Sequence, residues 1–212
     1  MDFATFVLSN LAPGSRVLEV GCGTSGDLAL KLAGAGHDVV AIDPRAPEGA
    51  IFRRVGLEDF DEDGAFDATV CKRVLHHVDP LPPAVEKLAR LAPVVLVEEF
   101  AHERLDDPTR SWYEGQWRLL AAAGVEPDGP PDLGHWREEH RGLHPSGDVV
   151  AALDASFART HYEDRPYLYR WLGGPASEEL ERALIDAEAI RPIGYRYAGT
   201  RTETTRSAAN SR

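Results

Sequence analysis

The feature that most constrains this chain is an apolar run that breaks into three glycines spaced as G-x-G-x-x-G. It lies within VLEVGCGTSGDLAL, residues 17–30. RVLEV at 16–20 has the composition of a buried strand, and SGDLALKLAGAG at 25–36 has the pattern of a helix. A glycine turn between a strand and a helix exposes backbone N–H groups at the positive end of the helix dipole. The turn therefore predicts an α/β protein with a ligand bound close to the main chain.

Further strand-like runs alternate with helical segments along the chain. Apolar runs occur at 37–43, 50–55, 66–72 and 94–99, and helical patterns occur at 3–11 and 82–91. Apolar strands that alternate with helices indicate a parallel sheet that is covered on both faces. Two more strand-like pieces, at 159–172 and 192–201, flank another helical segment. The pattern predicts a seven-stranded, mainly parallel sheet with helices on both faces.

The chain has a different organisation after residue 100. A helical run rich in Trp and Tyr is followed by a Pro- and Gly-rich stretch at 125–147, which is predicted to be a loop, with Ser146 as the cap of the next helix. The aromatic residues and histidines of this region are compatible with a pocket and with a hydrophobic core. We expect one domain over 1–200, with 101–147 as a substrate-covering insert before the sixth strand, and a disordered tail at 201–212.

Composition narrows the classes of partner. The 212 residues carry a formal net charge of −12, and such a surface repels nucleic acid phosphates and anionic membranes. Cys22 and Cys71 belong to no CxxC pair, and the histidines lack a tight ligand spacing, so no metal site is predicted. Neither a signal peptide nor an apolar run of about 18 residues is recognisable. We expect a cytoplasmic protein without nucleic acid or membrane partners; its oligomeric state is left open.

Two acidic residues distinguish between candidate cofactors. Asp43 ends the second predicted strand, 20 positions after Gly23, and a carboxylate at about that distance can accept both hydroxyls of a ribose. A nicotinamide dinucleotide and S-adenosylmethionine both satisfy this pattern. Glu19 precedes the first glycine by two residues, where it would oppose a pyrophosphate and attract the sulfonium and ammonium groups of S-adenosylmethionine. A purely structural role, as a cap for N–H groups of the turn, is the alternative for Glu19.

Several motifs in order resemble those of the class I S-adenosylmethionine-dependent methyltransferases. These are E-V-G-C-G-T-S-G at 19–26, Asp43-Pro44, F-D-A-T-V-C-K-R-V-L-H-H-V at 66–78, and V-V-L-V-E-E at 94–99. Gly56-Leu57-Glu58-Asp59 stands where that family has an acidic motif that contacts adenine. The resemblance covers about half of the chain and implies the Rossmann-like methyltransferase fold, with S-adenosyl-L-methionine as the cofactor.

The resemblance also implies which residues hold the cofactor. Contacts are expected from Glu19, Gly21, Cys22, Gly23, Asp43, Pro44, Leu57, Glu58 and Lys72. Asp43 is expected at the ribose, and Leu57 and Glu58 at the adenine. Gly56 replaces an Asp that is frequent in the family, so adenine recognition is expected to depend on Glu58 and on the backbone near Leu57. Lys72 has a second interpretation, as a solvated charge at the end of a strand.

Catalytic residues are harder to predict because alignment alone supplies much of the rate of a methyl transfer. His77 and Glu99 are the candidates, since they lie at the carboxyl ends of the fourth and fifth predicted strands. The alternative for His77 is that it packs beside the cofactor without acting as a base. Glu98 and Glu99 face opposite sides of a strand, so one of them at most points into the cleft.

The predicted function is transfer of a methyl group from S-adenosylmethionine to an oxygen or nitrogen atom of a small molecule. Two other classes of protein remain as alternatives. A nicotinamide-dependent oxidoreductase accounts for the glycines and Asp43 but not for Glu19. A non-catalytic module that binds S-adenosylmethionine accounts for every motif and differs only in turnover.

Overall fold

The computed structural model describes residues 1–61 and 66–202. The strands are β1 Arg16–Val20, β2 Asp38–Ile42, β3 Phe52–Arg53, β4 Ala68–Lys72, β5 Val94–Phe100, β6 Phe157–Arg165 and β7 Gly194–Arg201. The helices are α1 Phe3–Ser9, α2 Asp27–Gly34, α3 Leu81–Leu91, α4 Asp107–Ala122, α5 Leu133–Glu139, α6 Ser146–Ser156 and α7 Pro175–Asp186. Short 3-10 turns occur at Leu75–His77, His102–Arg104 and Leu168–Trp171. The predicted disordered tail at 201–212 lies outside the described residues, apart from its first two.

The strands form one mixed, mostly parallel sheet in the order β3-β2-β1-β4-β5-β7-β6. The pairs β1–β2, β1–β4, β2–β3 and β4–β5 are all parallel. The strand order reverses between β1 and β4, and open α/β sheets bind ligands outside the carboxyl ends of the strands at such a point. The predicted seven-stranded sheet is confirmed, and its topology places the glycine turn at this reversal.

Successive residues of β1 and β2 face two different cores because side chains alternate along a strand. Leu18, Val20 and Val40 belong to a core that also contains side chains of α3 and α6. Val17 and Val39 belong to a second core, with side chains of α1 and α2. Helices therefore cover both faces of the sheet, as predicted.

The chain divides into two compact units. The first contains 1–99, 147–162 and the residues from 197 on, and the second contains 100–146 and 163–196. No helix among the described residues is both long and apolar enough to span a membrane.

Aromatic residues form the core of the second unit. Phe100, Tyr113, Trp136 and Tyr167 are buried together. The Tyr113 hydroxyl donates to a backbone carbonyl at 2.9 Å, and the Trp117 indole N–H donates to another at 3.0 Å. Large rings that pack on one another with their polar tips satisfied are core residues. Of the two interpretations that the sequence left open for the aromatic residues, the structure favours the core for Tyr113 and Trp136.

The predicted loop at 125–147 contains a helix, α5. Asp132 caps it by accepting a hydrogen bond from the His135 N–H at 3.0 Å, and Leu133 and Trp136 are buried on one side of it. The helix has only seven residues, too few to show a clear period among the surrounding prolines and glycines. The cap and the two buried side chains stabilise it.

Two other local predictions are wrong. Ser146 is the first residue of α6 and does not cap it; its N–H donates to Glu103 Oε1 at 3.0 Å, and its hydroxyl donates to the same oxygen. The predicted strand at 159–172 ends at Arg165 because Pro166 follows, and a 3-10 turn replaces its last part.

Candidate functional site

A cavity of about 240 Å³ lies at the carboxyl edge of the sheet, within the first unit. It is lined by the ends of β1 and β2, the segment that follows β3, and the turn that follows β4. The predicted site residues that it brings together are Gly21, Asp43, Pro44, Leu57, Glu58 and His77.

The glycine turn closes one end of this cavity. Gly21 has a φ of +78°, a conformation that glycine adopts without strain. A Cβ at this position would lie 2.5 Å from Val74 Cγ2, so no side chain fits between the turn and the end of β4. The N–H groups of Gly21 and Cys22 both donate to the Ile42 carbonyl, at 2.8 and 3.2 Å. The main chain at the start of the turn is thus fixed to β2, and Gly21 lines the cavity.

Asp43 connects the end of β2 to the glycine turn. Its Oδ2 accepts from the Gly23 N–H at 3.0 Å, and its Oδ1 accepts from the Arg45 N–H at 2.7 Å. The side chain is 11% exposed and lines the cavity. Each carboxylate oxygen has a second lone pair, so Asp43 can still accept two hydroxyl groups of a ligand.

Glu19 is a buried carboxylate with an unused acceptor. Its side chain is 2% exposed, and Oε2 has no hydrogen-bond partner among the described residues. Burial raises the pKa of Glu19 from 4.5 to about 7; Lys72 and a hydrogen bond from the Ala29 N–H lower it. Glu19 therefore caps an N–H group in the first turn of α2, and not one of the glycine turn as the structural alternative supposed. The remaining oxygen fits a ligand that brings a cation or a donor.

Glu58 folds back over Gly56. A Cβ at Gly56 would lie 2.4 Å from Glu58 Oε1, so the carboxylate occupies the space that a larger residue would need. Leu57 is buried between them and lines the cavity together with both. The Glu58 carboxylate therefore lies on the same wall of the cavity as Gly56.

The two candidate catalytic residues differ in their surroundings. His77 is exposed and lines the cavity. Glu99 is completely buried and does not line it. Its Oε1 accepts from the N–H groups of Val74 and Leu75 at 2.6 and 2.7 Å, and its Oε2 is 2.7 Å from His76 Nδ1. These contacts favour a role for Glu99 in holding the neighbouring turn over a role in contact with a substrate.

Four further residues predicted to contact the cofactor do not line the cavity: Glu19, Cys22, Gly23 and Lys72. The Cys22 thiol is buried and points toward the Gly23 carbonyl, at 3.6 Å. Burial, and after it the charges of Glu19 and Asp43, raise the pKa of this thiol to about 12. Lys72 is partly buried at the end of β4 and acts electrostatically on Glu19.

The cavity also includes residues that sequence reasoning missed. Val74, Val78 and Asp79 line it next to His77. Their position directly after the fourth strand was a usable signal, since the carboxyl ends of parallel strands meet at one edge of the sheet. Among the described residues, no group of three or more His, Cys, Asp or Glu side chains is arranged to hold a metal ion.

The second unit has a cavity of its own, of about 260 Å³. Arg137, Arg141, Glu103 and Glu138 contribute both signs of charge to its lining. The Arg137 guanidinium also donates to a backbone carbonyl at 3.1 Å, and Arg141 pairs with Glu138 at 2.7 Å. A small polar molecule fits such a volume and such a lining.

Comparison with known proteins identifies the family of the domain. A family model described as "Methyltransferase domain" matches residues 1–155. A search of the curated proteins found no significant match.

Solved structures with the same fold cover almost the whole chain. An S-adenosylmethionine-dependent methyltransferase from Mesorhizobium loti is 14% identical, with a TM-score of 0.56 over 93% of this chain and 96% of that one. The N-methyltransferase NodS from Bradyrhizobium japonicum, in complex with S-adenosylhomocysteine, is 13% identical, with a TM-score of 0.54 over 93% and 85%. The 1,6-didemethyltoxoflavin N1-methyltransferase from Burkholderia thailandensis is 15% identical, with a TM-score of 0.54 over 94% and 76%.

Proposed function

This chain belongs to the methyltransferase-domain family of S-adenosylmethionine-dependent enzymes, and from that premise we propose that it methylates an oxygen or nitrogen atom of a small molecule. The observation that carries the proposal is the pair of acceptors beside the glycine turn: the Asp43 carboxylate, which lines the cavity, and Glu19 Oε2, which has no partner among the described residues. When bound, S-adenosylmethionine supplies a methyl group on a positively charged sulfur, and a nucleophile that approaches the methyl carbon opposite to the sulfur takes that group.

Glu19 is proposed to bind the ammonium group of the cofactor. Its buried Oε2 has no partner in the described chain, and a buried acceptor of this kind gains most from a charged donor. Lys72 acts electrostatically on the same carboxylate and lowers its pKa. That interaction favours the ionised form, which the ammonium group requires.

Asp43 and Glu58 are proposed to orient the nucleoside. Asp43 is fixed by two backbone N–H groups and offers its remaining lone pairs to the ribose hydroxyls. Glu58, held over Gly56, offers an acceptor to the amino group of adenine, while Leu57 and Pro44 supply apolar contacts. The Cys22 and Gly23 backbone is proposed to pass beside the amino-acid part of the cofactor.

His77 is proposed as the general base where the acceptor atom carries a proton, because it is the imidazole that lines the cavity. Residues 101–147 are proposed to cover the acceptor. Holding the two reacting atoms in line accounts for up to about 7–11 kcal/mol of the barrier, and His77 adds to that.

The proposal is tested by calorimetric titration with S-adenosylhomocysteine, 5′-methylthioadenosine and NAD. Methylthioadenosine shares the nucleoside but lacks the ammonium group. We expect Glu19→Gln to weaken S-adenosylhomocysteine binding by about 10- to 100-fold and to leave methylthioadenosine unchanged. Asp43→Ala should weaken both ligands by about 1–3 kcal/mol. Equal losses for both ligands in Glu19→Gln would contradict the ammonium contact.

Binding and turnover have to be measured separately. Binding of NAD alone would favour an oxidoreductase, in which Glu19 would face a pyrophosphate. Binding of S-adenosylmethionine without formation of S-adenosylhomocysteine, over a panel of hydroxyl- and amine-bearing metabolites, would favour the non-catalytic module. Formation of S-adenosylhomocysteine with one metabolite class, and its loss in His77→Gln, is the result expected here.

A further inference from the structure

The turn that follows β4 is attached to the end of β5 by a series of hydrogen bonds. The Arg73 N–H donates to the Glu98 carbonyl at 2.8 Å. The next two N–H groups, of Val74 and Leu75, donate to Glu99 Oε1 at 2.6 and 2.7 Å. A single buried side chain therefore replaces the sheet ladder at the point where β4 ends.

The other oxygen of Glu99 faces a histidine. Oε2 lies 2.7 Å from His76 Nδ1, and the two side chains are 0% and 2% exposed. An ionised carboxylate only accepts hydrogen bonds, so a contact of this length with an ionised Glu99 requires a proton on His76 Nδ1. The His76 ring also packs against the His77 ring, with 4.1 Å between the centroids. Glu99 thus contacts one imidazole that packs against a second.

This turn forms one wall of the cofactor cavity. Val74, His77, Val78 and Asp79 line the cavity, and the Val74 side chain fills the space against Gly21. Any displacement of the Val74 and Leu75 backbone would therefore move the wall relative to the glycine turn.

We propose that Glu99 is a positioning residue: it holds His76 as the Nδ1–H tautomer and, through residues 74–76, sets the wall against which the cofactor binds. It touches neither cofactor nor substrate. The assignment of the tautomer stands on the contacts of Glu99 alone, whereas the expected effect on ligand affinity rests on the proposed function.

Glu99→Gln tests the proposal with almost no change of shape. The amide oxygen can still accept from the two backbone N–H groups, but the amide NH₂ then faces His76 Nδ1. Two donors cannot face each other, so His76 has to move its proton to Nε2 or lose the contact. We expect nitrogen-15 NMR of the imidazoles to show Nδ1–H for His76 in the wild type without ligand, and Nε2–H or a mobile ring in the variant.

The second readout is the affinity for S-adenosylhomocysteine, measured by calorimetry. We expect it to fall about tenfold in Glu99→Gln. His76→Asn places an amide donor where Nδ1 was and should stay within about threefold of the wild type, whereas His76→Leu should behave like Glu99→Gln. If Glu99→Gln does not fold, the comparison of His76→Asn with His76→Leu decides the same question.

Glu181→Gln is the matched control for a purely structural effect. Glu181 is another completely buried carboxylate, and it accepts from the N–H groups of Tyr167, Leu168 and Tyr169 at 2.8, 3.1 and 2.7 Å. It belongs to the second unit. We expect Glu181→Gln to lower the unfolding temperature by an amount similar to Glu99→Gln and to leave the affinity for S-adenosylhomocysteine unchanged.

Two results would overturn the proposal. One is a wild-type His76 that carries its proton only on Nε2. The other is a folded Glu99→Gln that binds S-adenosylhomocysteine as tightly as the wild type. A wild type that binds no S-adenosylhomocysteine contradicts the proposed function instead, and the NMR measurement without ligand still decides the tautomer.

Discussion

Replacement of Glu19 by Gln isolates the free-energy cost of a buried charge. Burial raises the pKa of Glu19 from 4.5 to about 7, so between these pH values the native state holds a proton that the unfolded state has lost. The free energy of unfolding therefore falls as the pH rises through this window. The stability that the neutral form contributes is fully present below pH 4.5 and has been lost above pH 7.

The magnitude follows from the two pKa values. One pH unit corresponds to about 1.4 kcal/mol, so the ionised Glu19 destabilises the fold by about 3 kcal/mol in all, of which about 2.5 kcal/mol develops between pH 5 and pH 8. Gln does not ionise. The buried amide of Gln changes the free energy of unfolding by an amount that does not depend on pH. From pH 5 to pH 8, the free energy of unfolding of Glu19→Gln should therefore rise by about 2–3 kcal/mol relative to the wild type.

Urea unfolding without ligand, at pH 5, 6, 7 and 8, measures this difference. Glu48→Gln removes one carboxylate from a side chain that is 92% exposed and is the control for loss of a charge. A stability difference between Glu19→Gln and the wild type that stays constant from pH 5 to pH 8 would refute the reasoning, since it would mean that Glu19 ionises equally easily in both states.

Three further outcomes are expected. Gly21→Ala should destabilise the fold by about 3 kcal/mol or more, because its Cβ would lie 2.5 Å from Val74 Cγ2. A Cβ at Gly23 would have nothing within 4 Å, so Gly23→Ala should destabilise the fold by only about 1–2 kcal/mol, the cost of its positive φ. Thermal unfolding of the two variants measures the difference. Burial raises the pKa of the Cys71 thiol, so a thiol reagent at pH 8 should label it only in guanidinium. Glu19, with a pKa of about 7, is about three-quarters protonated at pH 6.5, so binding of S-adenosylhomocysteine at that pH should release up to about 0.8 of a proton, seen as a dependence of the calorimetric enthalpy on the ionisation enthalpy of the buffer.

The fold could be predicted because its signals are local. β1 and β2 place apolar residues, among them Val and Ile, on both of their faces. A strand needs apolar residues on both faces only when helices cover both faces of its sheet. The helix at Leu133–Glu139 could not be predicted, because its cap and its buried side chains matter only once the second unit has folded. The 3-10 turn at Leu168–Trp171 is a similar case, since the buried Glu181, distant in sequence, holds its N–H groups.

The site could be predicted in part for a related reason. Gly21, Asp43 and Leu57 reach the cavity because each lies at or shortly after the end of a parallel strand, and such ends meet at one edge. For Glu99, strand alternation predicts the face on which the side chain lies, but its partner is set by tertiary contacts. The carboxylate accepts from two backbone N–H groups of the turn after β4 and contacts the His76 ring nitrogen there, and no pattern in the sequence of β5 indicates that.

Glu19 and Glu99 show how two buried carboxylates in one sheet can be assigned different roles. Both lie at or near the carboxyl end of a strand, and both are almost completely buried. Burial of a carboxylate is costly unless donors compensate for it. Glu99 accepts from two backbone N–H groups and contacts the His76 ring nitrogen, so the cost of its burial is offset within the fold and it holds the turn. Glu19 keeps one oxygen without a partner among the residues that the structure describes. The fold tolerates that cost at the position where a cationic ligand would offset it, which is why Glu19, and not Glu99, is the residue expected to discriminate between ligands with and without an ammonium group.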